Sequence, residues 1–426
     1  MAHFRRPLFK VSAKTLGCFF RGCTHIPGSV SYSYAASRRL YSSPATKPLR
    51  ILFCGSDDVS AASLQALRDE QKRDPSSIAS IDVLCRPGKP YGRGLKKIRE
   101  VPLKATAQSL GLRTHIRDTF TGWEVPKVDG ESINLIIAVS FGLFVPPRVL
   151  NSTEYDGLNL HLSLLPDLRG PSPVNYAIFN GYKQTGVTLQ TLSPKDFDHG
   201  KILLQAPVSI PDPEIVTHGV LRDILVPISA RLLVRGLREK VYLPQATEAE
   251  PILPHNKVLV LAPKIKPENR RLLSKMTAEE IVRMERAFDR VWVGTKFSED
   301  GWKRVVLEGL ETVPMPAEMS EFYATHEDKM GIFKPFTIVE GDGKTSDGTT
   351  VPMMKAPDGH SIIIAAKGDS ALLIRNATVD GSKKKKAAVA LYGTSLERNS
   401  DGSWFDSTGE LIYWDSFSSI WDTVCH

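Results

Sequence analysis

The sequence predicts an α/β chain in two parts, an open and mostly parallel sheet wound with helices followed by a smaller β-barrel. Three observations predict it. Strand-like and helix-like patterns alternate from Leu49 to about residue 245, the sign of βαβ units. The run Ile133–Ser140 is almost wholly apolar, as a strand buried on both faces must be. Beyond a proline-punctuated stretch at 246–262, short β-like segments alternate with Gly-rich turns, as in a small barrel. A chain of 426 residues also exceeds one ordinary core. The expected division is therefore 49–245, a linker at 246–262, and 263–426 with an insertion of little core at about 314–350.

The formal net charge is +8, and much of it lies in the first fifty residues. These carry nine Lys and Arg and no Asp or Glu. A Ser- and Arg-rich, acid-free leader resembles a mitochondrial transit peptide. Residues 1–48 are read so, with processing between Tyr41 and Ser42 and the mitochondrial matrix as destination; a disordered basic tail is the other reading. No apolar run reaches the roughly 20 residues needed to span a bilayer, so no membrane insertion is expected. The five cysteines lack metal-ligand spacing and read as reduced structural thiols.

Leu49–Cys54 reads as the first strand, and Ser56 or Asp57 as the cap of a helix over Val59–Lys72. A strand at Ile81–Cys85, a helix near Val101–Leu110 and a short strand near Leu112–His115 follow. Between the second strand and its helix, Arg86–Arg99 mixes Gly and Pro with Arg93, Lys96 and Lys97. That composition predicts an irregular loop, either solvated or engaging RNA phosphates.

Residues 157–173 alternate Asn159, His161 and Ser163 with leucines, which places the polar side chains on one face of a strand. Pro166, Gly170, Pro171 and Pro173 then force a shaped loop. A carboxamide and an imidazole two residues apart can hydrogen-bond a developing oxyanion and handle a proton. A polar strand edge entering a turn accounts equally well for the pattern. Thr185–Thr191 reads as a further strand. Lys195–Gly200 is a turn in which Asp196 reads as a turn-former and Asp198 is open. Residues 218–240 form a helix, and Thr277–Phe288 begins with a capping box. Short β-like segments follow at Val291–Lys296, Lys303–Leu307, Thr337–Val339, Ser361–Ala365, Ala371–Ala377 and Ala388–Leu391. Lys383, Lys384, Lys385 and Lys386 crowd one turn, a solvated hairpin tip or an RNA contact. Neither GxGxxG nor GxxxxGK[ST] occurs, so no bound nucleotide cofactor is indicated.

The string GLNLHLSLLPDLRGPSPV at 157–174 resembles the Asn-x-His-x-Ser-Leu-Leu-Pro-x-x-Arg-Gly-x-x-Pro signature of folate-dependent formyltransferases. TGVTLQTLSPKDFDHGKIL resembles the same family's later strand and Asp-x-Gly loop. LRILFCGSDDVSAASLQAL, RPGKPYGRGLKK, LIIAVSFGLFVP, LAPKIKPE, AEEIVRMERAF and NATVDGSKKKKA are similar to the methionyl-tRNA branch of that family. The resemblance runs from about Leu49 to Leu391. It implies a Rossmann-like catalytic domain, an oligonucleotide-binding-type barrel, 10-formyltetrahydrofolate as donor without a metal, and methionyl initiator tRNA as acceptor, with the enzyme a monomer. Carried over, it makes Asn159, His161 and Asp198 catalytic. It makes Ser163, Leu164, Leu165, Pro166, Gly142 and Phe144 the folate cradle, and Arg93, Lys96, Lys97 and Lys383–Lys386 the tRNA contacts. Two departures stand out. His199 and Lys201 flank the Asp198 turn where the family has a small polar and an acidic residue, and Asp167-Leu168 follows the Ser-Leu-Leu-Pro run. The competing readings are formylation of a small amine and a non-catalytic RNA-binding protein on the same fold.

Overall fold

β1 (Leu49–Gly55) founds the first sheet, with Ile51, Leu52 and Phe53 fully buried. The computed structural model describes residues 47–253, 258–296, 302–325, 334–340, 348–392, 397–398 and 404–405. The leader expected to be a transit peptide, up to residue 46, and most of the tail after 392 lie outside the described residues.

The remaining strands of this sheet are β2 (Ile78–Cys85), β3 (Thr114–Ile116), β4 (Leu135–Val139), β5 (Gly157–His161), β6 (Gln184–Thr191) and β7 (Ile202–Ser209). Their order is β7-β6-β5-β4-β1-β2-β3. β3, β2, β1, β4 and β5 run parallel, and β6 and β7 are antiparallel additions. Every residue of β4 is buried, which explains its unbroken apolar run. After β3 the chain returns to the other side of β1, so a topological switch lies between β1 and β4. Crevices form beyond the carboxyl ends of strands at such a point.

The helices flanking the sheet include α1 (Asp58–Arg73), α2 (Pro102–Ser109), α3 (Pro147–Leu150), α4 (Pro173–Phe179) and α5 (His218–Arg238). Asp57 caps α1, its carboxylate accepting the Ser60 N–H at 3.0 Å. Glu70 of α1 is buried and accepts from Arg73 of the same helix and from Arg238 of α5, the latter at 2.6 and 2.9 Å. These guanidinium hydrogen bonds hold its carboxyl down at about 2. Because the folded value lies below that of the unfolded chain, this stabilisation is complete above about pH 4.5 and fades as pH falls towards 2. Glu70→Gln should therefore lower Tm at pH 7 and flatten its acid limb between pH 5 and 2, read by thermal melts across that range.

Residues 86–99 depart from the irregular loop expected. Lys89–Tyr91 and Lys97–Arg99 pair antiparallel, Arg99 lies 4.8 Å from the Tyr91 ring centre, and Gly92 and Gly94 take positive φ at the tip. Cross-strand contact thus organises a sequence whose Gly and Pro content argued against pairing.

The second sheet comprises β8 (Val291–Lys296), β9 (Trp302–Pro314), β10 (Lys334–Val339), β11 (Gly348–Lys355), β12 (Ile362–Ala365) and β13 (Ser370–Val379). They follow the order β9-β8-β10-β11-β12-β13, and β13 pairs back onto β9 to close a six-stranded antiparallel barrel. Two expectations change here. Residues 314–350 supply the wall strand β10, with Phe336 and Ile338 buried, and a helix that buries Met319, so core passes through them. Ala388–Tyr392 is a single π-helical turn, not a strand, since a short apolar run does not distinguish the two.

α6 (Ala278–Phe288) begins with the expected Thr277/Glu280 capping box. It packs on the first domain: the Phe288 ring is 5.8 Å from Tyr176 and 5.1 Å from Phe179, and Asn175 Nδ2 donates to the Ala287 carbonyl at 2.6 Å. Cys54 and Cys85 are buried, unpaired thiols.

Candidate active site

β5 ends at His161 beside the switch point, and the polar alternation read from the sequence delivers Asn159 and His161 towards one place. β6 runs antiparallel alongside, with Gln190 opposite Asn159 and Thr188 opposite His161. The turn after β6 then brings Asp198 onto both. Asn159 Nδ2 donates to Asp198 Oδ1 at 3.2 Å, and His161 Nδ1 lies 3.4 Å from the same oxygen. Gln190 Nε2 reaches Oδ1 at 3.4 Å, and the Gly170 N–H donates to Oδ2 at 2.9 Å. The Asp198 carbonyl accepts from Arg169 Nε at 3.0 Å. His161 and Asp198 are only 9% and 11% exposed, a partly dry setting in which charge interactions are strengthened.

The second imidazole nitrogen of His161, Nε2, sits 3.0 Å from the Leu168 carbonyl. A carbonyl only accepts, so Nε2 carries a hydrogen and Nδ1 faces Asp198. Asp198 itself has a φ of +57°, a left-handed turn conformation that Asp tolerates better than most residues.

These side chains border a cleft of about 760 Å³ lined also by Ser140, Gly142, Leu143, Phe144, Phe197, His218 and Arg222, within the range of small-molecule sites. Phe144 and Phe197 meet edge to face, their ring centres 5.4 Å apart. At the β1 end stand Asp57, Asp58, His218 and Arg222. Burial pushes the Asp57 carboxyl up and the His218 imidazole down, each change favouring the neutral form. Arg222 pairs with Asp58.

The structure brings Asn159, His161, Asp198, Gly142 and Phe144 to one cleft. It does not bring Ser163, Leu164, Leu165 or Pro166 to it. Ser163 is fully buried, with its hydroxyl given to the Asp167 carbonyl at 2.7 Å, and Leu165 is buried with its N–H bound to Thr188 Oγ1 at 3.0 Å. They form an inward turn that returns the chain towards His161, and Gly170–Asn175 line the cleft instead. Lys96 and Lys97 are exposed on the hairpin beyond β2, and Arg93 lies in the same tip. Lys383–Lys386 are exposed on the barrel; Lys384 is tied to Glu308 at 3.0 Å, and Lys385 and Lys386 pair with Ala377 and Asn376. Neither departure in the Asp198 turn, His199 or Lys201, lines the cleft. His199 is exposed, and the Lys201 ammonium is drawn to the Ala246 carbonyl at 2.5 Å. Gln190, which holds the turn through both its amide atoms (Oε1 accepts the Gly200 N–H at 3.0 Å), carried no signal beyond its place in an alternating strand.

A mostly parallel sheet with its crevice at the switch point, and a half-buried Asn-His-Asp group at the rim, define a formyl-transfer enzyme once the matching family is set beside them: residues 49–218 match the formyl transferase family model. The chain is 30% identical over 274 residues to methionyl-tRNA formyltransferase of Pelotomaculum thermopropionicum, covering 61% of this chain and 80% of that one. It is 32% identical over 267 residues to a putative methionyl-tRNA formyltransferase of Schizosaccharomyces pombe, with 58% and 74% covered. To the mitochondrial methionyl-tRNA formyltransferase of Saccharomyces cerevisiae it is 34% identical over 237 residues, with 48% and 59% covered. The chain belongs to the methionyl-tRNA formyltransferase family.

Proposed function

We propose that this enzyme transfers the formyl group of 10-formyltetrahydrofolate to the α-amine of methionyl initiator tRNA, in the mitochondrion. The observation that carries the reading is the convergence of Asn159, Gln190, Gly170 and His161 on the one carboxylate of Asp198, at the rim of a cleft large enough for a folate. The names of the relatives support the acceptor, and the acid-free leader and the yeast mitochondrial relative support the compartment.

The donor supplies a formyl carbon bound to nitrogen; its transfer puts negative charge on the formyl oxygen and moves one proton from the acceptor amine to the donor nitrogen. Asn159 Nδ2 spends one hydrogen on Asp198 and has a second for that oxygen. Asp198 accepts the amine proton, and His161 Nδ1 beside it shares that proton before it passes to the leaving nitrogen. Nε2 stays anchored on Leu168, so the ring does not turn. The Phe144–Phe197 pair and the backbone at Gly142 fit a flat heterocycle.

The basic hairpin and the lysine turn hold the tRNA by its phosphates. Replacing Arg93, Lys96 and Lys97 together by alanine should raise KM for methionyl-tRNA about tenfold and reduce the salt slope by up to about 3, with kcat little changed. Steady-state formylation across a salt series checks this, and an unchanged KM would return the hairpin to solvent.

A further inference from the structure

The stretch expected to be a polar linker is built into the catalytic shell. Residues 258–262 run parallel to the loop 167–172, with a β-bridge between Arg169 and Leu261. The Leu168 N–H donates to the Val260 carbonyl at 2.8 Å, the Ala262 N–H to the Arg169 carbonyl at 2.7 Å, and the Ser172 N–H to the Ala262 carbonyl at 3.2 Å. The buried carboxylate of Asp167 completes the set, its Oδ1 accepting the Val260 N–H at 2.7 Å. The fit is close: at Gly170, whose φ is +122°, an added Cβ would stand 2.4 Å from the Ala262 carbonyl oxygen.

The same loop makes three of the contacts that fix the active site. Leu168 supplies the carbonyl for His161 Nε2, Gly170 the N–H for Asp198 Oδ2, and Arg169 the guanidinium N–H for the Asp198 carbonyl. Further along, the segment is bonded to the barrel: the Trp292 indole donates to the Pro267 carbonyl at 2.7 Å, the Leu272 N–H to the Trp292 carbonyl at 2.8 Å, and Arg271 Nη2 to the Val339 carbonyl at 2.7 Å. One short extended segment therefore ties the wall of the barrel to the backbone atoms that orient His161 and Asp198.

We propose that Asp167 is a positioning residue, clamping the 258–262 segment onto the catalytic loop so that Leu168 and Gly170 hold His161 and Asp198 in register. This rests on the reading of Asn159, His161 and Asp198 as the groups that perform formyl transfer. Displacement of such groups by about 1 Å costs on the order of 10²-fold in rate.

Asp167→Ala in the full chain is expected to lower kcat for methionyl-tRNA formylation by roughly tenfold to a hundredfold. KM should hold within about twofold and the pH profile of kcat should move, since the Nε2 acceptor of His161 shifts. Asp167→Asn keeps an oxygen for the Val260 N–H and should recover most of the rate. Val260→Pro removes that N–H from the linker side and should reproduce the alanine result with Asp167 intact. An unchanged kcat in Asp167→Ala or Val260→Pro, an Asn variant as impaired as the Ala variant, or unfolding of both disrupting variants would overturn the proposal. His161→Ala serves as the control. If it loses turnover while Asp167→Ala does not, the clamp alone is wrong; if it keeps turnover, the active-site reading itself fails.

Discussion

Asp198→Ala should lower kcat for formyl transfer on the order of 10³-fold or more, with KM for tRNA nearly unchanged, because one side chain is asked to do three things. It accepts a proton, a role worth about 10²–10⁴-fold. It is the shared partner of Asn159 Nδ2 and His161 Nδ1, so its loss frees the oxyanion donor and the imidazole together. It also receives the Gly170 N–H, which would otherwise be left unpaired in a half-buried loop. Asp198→Asn keeps the shape but not the charge, and should recover the fold without the rate. Rapid-quench formylation with saturating tRNA, beside a thermal melt, separates the two. Near-wild-type kcat in Asp198→Ala would remove it from the chemistry.

The second large effect is expected from a residue with no side chain. At Gly200 an added Cβ would stand 1.7 Å from the Thr191 carbonyl oxygen and 3.0 Å from Thr191 Oγ1, a backbone collision that no rotamer relieves. The Gly200 N–H is also the partner of Gln190 Oε1, and its neighbour Lys201 is bonded to Thr191 through both backbone groups, N–H to Oγ1 and C=O to N–H, each at 2.9 Å. Gly200→Ala must therefore push the 195–201 turn off β6 and carry Asp198 with it. A loss of kcat on the order of 10²-fold is expected, with a lower Tm. Gly219→Ala, where an added Cβ meets nothing within 4 Å, is the matched control and should change neither. Equal activity in the two variants would show that the turn tolerates displacement.

Much of the fold was legible because the hydrophobic pattern has the right period. β4 reads as buried on both faces from its unbroken apolar run, and the cap of α1 reads as Ser56 or Asp57 from their place before it, Asp57 being the one that caps. Asn159 and His161 were legible as a pair since they alternate with leucines along β5. Asp198 was not legible alone: a carboxylate in a Gly-ended turn looks like any turn-former, and only the pairing of β5 with β6 brings it to His161. Gln190 was missed for the same reason, its importance lying wholly in register. Resemblance alone assigns Ser163–Pro166 to the folate cradle, yet the turn folds inward, and burial has no signature in a run of Ser, Leu and Pro. The 246–262 stretch reads as a spacer from its prolines and polar residues. Its last part acts through backbone N–H and C=O groups, which every residue but proline carries alike.

Product analysis asks whether this chain formylates an aminoacyl-tRNA with a folate donor, as proposed. The purified full chain would be mixed with 10-formyltetrahydrofolate, methionyl-tRNA and an amino-sugar nucleotide as competing acceptor, and the formylated products separated and quantified. The proposed function requires formyl-methionyl ester on the tRNA, dependent on His161, with little formylated sugar. Formylation of the sugar in preference to the tRNA, or tight binding of tRNA with no transfer at all, would contradict it.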